Sequence, residues 1–394
     1  MRFHRFPSRK FLTVAVILAA AGPRLFAAEI PPIGPGPFAV GSTNLEVSDH
    51  PMYPMVDYLK GKSISHQPIY LADLLVHPGS ALLTKVAIPA DPAIFGRHAG
   101  SSLPLVLYVL YPTSDGNRRA DYKFPYPDTG DNVFPRMQKA DEKPIFSGNA
   151  ARYPLIVFSH GYEGHGLWDL DHLKFLAAHG YIVVSVFYGD GRANLEANLG
   201  IRPIALKAAL DYILNHPDFG PAIDPDRIGV SGSSFGGYTI LAVMSGKYLQ
   251  AAGATPDLRI KAGFGLVPFM GGTIGFWPLA TDAWVFGRDY SGLKTVQTPF
   301  MAIYGEKDTN VPPRSVMGGI AQMSGPASAV MLDGEQHLFS KEVWTDVYTW
   351  ELLFFKTWLR GDAEARKLLY GGNSVQGGVN DHKTYQHAAR PPHS

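Results

Sequence analysis

Runs of almost unbroken apolar residues recur along this chain, and they limit what it can fold into. They are "LPLVLYVLY" from Leu103, "PLIVFSH" from Pro154, "YIVVSVFY" from Tyr181, "RIGVSG" from Arg227, "IKAGFGLVPF" from Ile260, "PFMAIYG" from Pro299 and "ASAVML" from Ala327. A strand with one wet face alternates apolar and polar residues. Runs without that alternation read as strands covered on both faces, the habit of parallel sheets. Helical periodicity separates them. In "IRPIALKAALDYILNH", Ile204, Leu206, Leu210, Ile213 and Leu214 recur at helical spacing, with Pro203 near the start, where its missing N–H costs little. "LWDLDHLKFLAAHG" stops at Gly180, and "EVWTDVYTWELLFFKTWLRG" from Glu342 reads as a closing amphipathic helix. The alternation predicts an α/β fold over residues 103–370: a doubly wound, mostly parallel sheet with helices on both faces.

The N-terminus has the grammar of an export signal. Arg2, Arg5, Arg9 and Lys10 precede an apolar run from Phe11 to Ala21, and "LFAAE" offers small residues for cleavage. The run is shorter than the roughly 20 residues that a membrane-crossing helix needs. Residues 1–28 are therefore expected to be a signal peptide, with a mature chain starting near Glu29 and residing in the periplasm or outside the cell, without stable membrane insertion. The chain has no cysteine, so disulfides, thiolate nucleophiles and cysteine-held metals are excluded. With Lys+Arg 35 against Asp+Glu 34, no global field draws in nucleic acid, and the expected substrate is a small or neutral molecule.

One stretch carries chemistry. "RIGVSGSSFGGYTIL" begins at Arg227 and offers three serines within four positions. A serine on a sharp strand-to-helix turn needs glycine two residues before and two after, because side chains there would strike the neighbouring backbone. Ser231 has Ser233 after it, and Ser233 has Ser231 before it and Phe235 after it. Only Ser234, between Gly232 and Gly236, fits G-x-S-x-G. A bare Gly/Ser turn would satisfy the same spacing, so the partners decide. No phosphate-loop pattern is present.

A serine hydroxyl needs a base, and the base needs an anion to orient it. Asp308 follows the apolar run "PFMAIYG" and His337 follows "ASAVML", so both lie just past the carboxyl ends of expected strands, where open α/β sheets place their sites. Glu306 lies near enough to compete for the acid role. After Asp308, the histidines other than His337 are His382, His387 and His393, in the polar tail. The expected catalytic set is Ser234, Asp308 and His337. The loop "SHGYEGHG" after the run from Pro154 is expected to supply an anion hole, with the backbone N–H groups of Tyr162 and Phe235 as donors. His160, His165, Asp169 and His172 invite a metal reading, but their spacing matches no HExxH-type pattern.

With these pieces in place, "FSHGYEGHG", "DPDRIGVSGSSFGGYT", "YGEKDTNVPP" and "GEQHLFS" together resemble the α/β-hydrolase superfamily. The likeness is to the branch of dienelactone hydrolase-like proteins, platelet-activating-factor acetylhydrolases and bacterial cutinase-like polyester hydrolases, and it covers roughly residues 103–365. It implies a serine carboxylic-ester hydrolase needing no cofactor. Dienelactone hydrolases themselves use a cysteine nucleophile, and polyester hydrolases usually carry His or Trp where Ser233 stands. "GSSFGGY" also resembles the elbow of prolyl oligopeptidase-type peptidases, whose propeller this chain is too short to hold. Alternatives are an exported serine peptidase, an acyltransferase, or a catalytically idle binding protein on the same fold.

The segment "GLVPFMGGTIGFWPLATDAWVFGRDY" occupies a usual place for an acyl-binding wall. Phe276, Trp277 and Trp284 are the candidate substrate contacts, with Phe269 and Phe286 beside them. Residues 29–102 read as a leader and insertion, 112–150 as a second insertion, and 371–394 as a polar tail that frays towards its end. If residues 37–47 form a first strand and 103–111 an antiparallel second, the 48–102 insertion leaves on the active-site edge of the sheet and 112–150 on the far edge. The first insertion is then the better candidate for shaping specificity.

Overall fold

Alternate residues of the strand Tyr153–Ser159 face two different cores. Leu155 and Val157 join one buried cluster, Ile156 and Phe158 the other. The strand Ile182–Phe187 divides its residues in the same way, Val184 and Val186 to one side and Val183 and Phe187 to the other. Both faces of the sheet are covered, which is why these segments lack polar alternation.

The computed structural model describes residues 28–43, 82–123, 133–139, 142–148, 150–162, 164, 166, 169–188, 195–247, 255–271, 286–287, 289–378 and 380–387. The strands are β1 (Ala28–Ile30), β2 (Ala39–Ser42), β3 (Leu82–Ala87), β4 (Ser102–Thr113), β5 (Tyr122–Lys123), β6 (Val133–Phe134), β7 (Tyr153–Ser159), β8 (Ile182–Phe187), β9 (Ile223–Ser233), β10 (Ile260–Leu266), β11 (Phe300–Gly305), β12 (Ala327–Leu332), β13 (Gly372–Val375) and β14 (Asp381–His387). The helices are α1 (Pro92–Phe95), α2 (Leu170–Ala178), α3 (Leu195–Asn215), α4 (Phe235–Ser245), α5 (Pro313–Ile320), α6 (Trp344–Arg360) and α7 (Ala363–Gly371).

A ten-stranded mixed sheet runs β14-β12-β11-β10-β9-β7-β8-β4-β2, with β3 also on β4. From β8 to β12 every pairing is parallel, while β4 and β14 run antiparallel to their neighbours. Helices α3 and α4 contribute Leu206, Leu210, Ile240 and Leu241 to one core. Helices α2 and α6 contribute Leu173, Leu176, Trp350 and Phe354 to the other. Helix α2 ends where Gly180 adopts φ +89, a left-handed turn that returns the chain to β8. Among the described residues, no helix is long and apolar enough to cross a membrane.

Of the expected 48–102 insertion, residues 48–81 lie outside the described residues; the rest contains an unexpected edge strand, β3, and a connection, 88–101, to the amino end of β4 beside the carboxyl end of β8. β2 pairs with Leu110–Thr113 of β4 and β3 with Ser102–Leu107, so the two are collinear pieces of one interrupted edge. Thr43, the last described residue before β3, donates its N–H to the Val109 carbonyl at 2.8 Å, and β3 begins at Leu82 opposite Leu107. The return strand escaped the periodicity reading because "LLTKVA" is short and holds Lys85 exposed on an edge. The carboxyl end of β4, by contrast, pairs towards the amino end of β8, so residues after Thr113 do leave on the far edge. One expectation is corrected, that of the polar tail. Residues 372–375 and 381–387 form β13 and β14, β14 pairs antiparallel with β12, and Asp381 accepts from the buried Trp350 indole. An edge strand needs only one apolar face, so "DHKTYQH" is polar and yet a strand. The fraying expected at the end of that tail falls on residues 388–394, outside the described residues, as do residues 1–27 of the expected signal.

Candidate active site

Ser234 stands between β9 and α4 with φ 52 and ψ −112, a left-handed conformation rare for a residue with a side chain. Backbone bonds hold it there. Its N–H donates to the Leu266 carbonyl at 2.8 Å, and its own carbonyl accepts from Phe269 at 2.9 Å and Tyr238 at 3.2 Å. The flanking glycines let the strand and helix close up. A Cβ on Gly232 would lie 2.5 Å from the backbone carbon and oxygen of Gly236. Ser231 is turned to other work, donating to Glu351 Oε1 at 2.7 Å inside the core.

The loops after β11 and β12 supply the partners. His337 Nε2 is 2.9 Å from Ser234 Oγ, and His337 Nδ1 is 2.8 Å from Asp308 Oδ2. The Asp308 side chain is fully buried, and its Oδ1 accepts from the backbone N–H groups of Asn310 and Val311, each at 2.8 Å. Those bonds fix the carboxylate and leave Oδ2 for the histidine. Since an ionised carboxylate only accepts, Nδ1 carries the proton, and Nε2 presents its lone pair to the serine hydroxyl. Glu306, the competing acid, is spent elsewhere: its Oε2 accepts from the Gly334 N–H at 2.9 Å. The acid and base loops are stitched together by Lys307 N–H to the Glu335 carbonyl at 2.8 Å, while Glu335 carboxylate oxygens hold the Ser340 N–H and hydroxyl. His337 therefore sits on a braced loop.

The loop after β7 lies against the serine. A Cβ on Gly161 would stand 3.6 Å from Ser234 Cβ, and the Tyr162 ring meets the Phe235 ring edge-on at 5.8 Å. The two residues whose N–H groups are the expected oxyanion donors are thus neighbours. The Phe235 N–H is the first of α4, and the first N–H groups of a helix have no partner within it. These helix-start dipoles favour negative charge beside Ser234.

Phe269 and Phe286 are buried, and Tyr238 bridges towards both, with ring separations of 6.2 Å and 5.6 Å. The other proposed wall residues, Phe276, Trp277 and Trp284, lie outside the described residues. His160 Nδ1 donates to the Gly161 carbonyl at 2.8 Å, and His172 pairs with Glu351 in the core. Among the described residues, no cluster of three or more His, Asp or Glu could hold a metal ion.

Sequence reasoning passed over Arg202. It is fully buried on α3, donates from Nη1 to the His160 carbonyl at 2.7 Å and from Nη2 to the Gly161 carbonyl at 3.0 Å, and lies 4.7 Å from both the Tyr188 and Phe235 ring centres. The only signal was a charge inside the apolar pattern "IRPIAL", which the helix periodicity absorbed. No family model matches this chain, and no curated protein matches it either.

Proposed function

We propose that this protein is an exported serine hydrolase on an α/β-hydrolase fold, which cleaves carboxylic esters through an acyl-enzyme intermediate. The observation that carries the reading is the unbroken relay from Ser234 Oγ through His337 to Asp308, at 2.9 Å and 2.8 Å, starting from a strained strand-to-helix turn. The chain order serine, acid, histidine and the oxyanion loop after β7 support the fold assignment. Cleavage near Glu29 would leave Ile30, buried and paired with β13, in the mature chain.

In this mechanism His337 takes the proton of Ser234 as Oγ attacks the ester carbonyl. Asp308 keeps the imidazole in the right tautomer and stabilises its cation. The Tyr162 and Phe235 N–H groups receive the negative oxygen of the tetrahedral intermediate. His337 then gives its proton to the leaving alcohol, the acyl group remains on Oγ, and water repeats the sequence to release the acid.

The test is hydrolysis of p-nitrophenyl acetate, butyrate and laurate by the mature chain beside Ser234→Ala. The expected result is turnover that the substitution lowers by about 10⁴-fold or more. The preferred chain length would then report the depth of the acyl pocket. Equal rates in both proteins would overturn the reading.

A further inference from the structure

We propose that Arg202 is a positioning residue for the oxyanion hole, holding and polarising the peptide group whose N–H belongs to Tyr162. The inference rests on the serine-hydrolase reading of the same site. It starts from the geometry of one amide. The Gly161 carbonyl and the Tyr162 N–H are the two ends of a single planar trans peptide, so they point in opposite directions. Whatever fixes the oxygen aims the hydrogen.

Two donors fix that oxygen. Arg202 Nη2 reaches it at 3.0 Å and His160 Nδ1 at 2.8 Å. Arg202 Nη1 takes the preceding carbonyl, of His160, at 2.7 Å, so the guanidinium fork clamps two successive peptides of the loop. The same guanidinium lies 4.7 Å from the ring centre of Phe235, whose N–H is the second expected donor. One buried side chain thus holds the amide that carries one expected donor and packs on the ring of the residue that carries the other. Its own mounting is firm. On the same helix, a turn before it, Leu199 offers its carbonyl to the Tyr238 hydroxyl of α4 at 2.7 Å, tying α3 to the helix that begins at the nucleophile.

A cationic donor makes a stronger bond to a carbonyl than a neutral one does, and a polarised carbonyl makes the N–H of its own amide a better donor. The effect grows as charge develops on the substrate oxygen, so it belongs to the transition state rather than to substrate binding. Lysine cannot reproduce the fork, because its ammonium is a point charge without the planar pair of nitrogens.

The experiment compares wild type, Arg202→Lys and Arg202→Met for kcat and KM on the best p-nitrophenyl ester. It adds the inhibition constant of an alkyl trifluoromethyl ketone, which forms a hemiketal with the serine and puts a negative oxygen in the hole. Losing a whole oxyanion donor costs on the order of 10²–10³ in kcat, so a misaimed one should cost less. Arg202→Met is expected to lower kcat about 10- to 100-fold with KM within about 2-fold, and to weaken the ketone by the same factor as kcat/KM. Arg202→Lys should fall in between, and it carries the test if the methionine variant does not fold. A folded variant with unchanged kcat, or one whose ketone affinity stays at the wild-type value while kcat falls, overturns the positioning role alone. A wild type without Ser234-dependent hydrolysis overturns the serine-hydrolase reading and this role with it.

Discussion

Gly236 and Ser159 stand so close that a Cβ built on the glycine would lie 1.8 Å from the serine's carbonyl oxygen. No side-chain rotation relieves a contact between a Cβ and a backbone atom, so Gly236→Ala must push α4 away from β7. The expected cost is about 3 kcal/mol or more, or outright failure to fold. Gly161→Ala is the control. Its Cβ would meet Ser233 O and Ser234 Cβ at an ordinary 3.6 Å, so it should fold with nearly wild-type stability. Thermal unfolding of both variants decides the matter, and a Gly236→Ala protein as stable as Gly161→Ala would count against the packing described.

The two acidic residues of the loop after β11 should behave oppositely. Asp308→Asn leaves the shape but removes the charge that orients His337, and kcat for ester hydrolysis should fall by about 10³- to 10⁴-fold. Among the described residues the Glu306 carboxylate holds the Gly334 N–H, and Glu306→Gln should leave kcat within about 2-fold. Steady-state kinetics on a p-nitrophenyl ester measures both. Similar losses in the two variants would mean that the acid has been misassigned.

How much the sequence made legible depends on how local each signal is. β12 matches the expected "ASAVML" residue for residue, and the other central strands differ only at their ends, because burial on both faces writes itself into consecutive residues. Ser234 could be chosen among three serines because backbone crowding at the elbow demands two glycines at fixed spacing. For the acid the sequence favours Asp308 but leaves Glu306 as a competitor. Asp308 and Glu306 are separated by which carboxylate meets His337 and which is taken by the Gly334 N–H, and neither is a property of composition. The edge strands β3 and β14 were not readable, since a strand with one solvated face and few residues has little periodicity to show. Arg202 was hidden for the opposite reason: its helix is so apolar that one charge looked incidental.

Stability should fall in acid through His179. Burial lowers its pKa from 6.5 to about 4, outweighing the opposing bond to the Gly34 carbonyl at 3.1 Å. The unfolded chain therefore binds a proton between those values that the folded chain refuses. The contribution is present above about pH 6.5 and is lost as pH falls through about 4. His179→Gln retains a donor for Gly34 but has no proton to gain. Between pH 7.5 and pH 4 it should lose about 2–3 kcal/mol less stability than wild type, read from denaturant unfolding at the two pH values. Parallel losses in the two proteins would exclude His179 as the cause.

Truncating the chain at two different points should isolate the contribution of the edge strand β14. Removal of residues 388–394 leaves β14 whole and serves as the reference. Removal from Asp381 onwards strips β14 from β12, takes the acceptor from the Trp350 indole, and deprives the Tyr304 hydroxyl of Thr384 Oγ1 at 2.9 Å. A drop of roughly 5–10 °C or more is expected, equivalent to a few kcal/mol in a chain of this size. Calorimetry on both truncations checks it, and equal melting temperatures would show β14 to be dispensable.

The relay from serine to histidine joins residues 103 positions apart in the chain, and the aspartate on which it ends lies 29 positions from the histidine. Its three side chains follow three parallel strands, β9, β11 and β12, so on the proposed mechanism no fragment that lacks any one of these strands is reactive. A fluorophosphonate probe that captures only an activated serine would, on that account, count completely assembled molecules one by one. An emerging or partly built chain would stay invisible to it, and harmless to any ester around it, until β12 had joined the sheet.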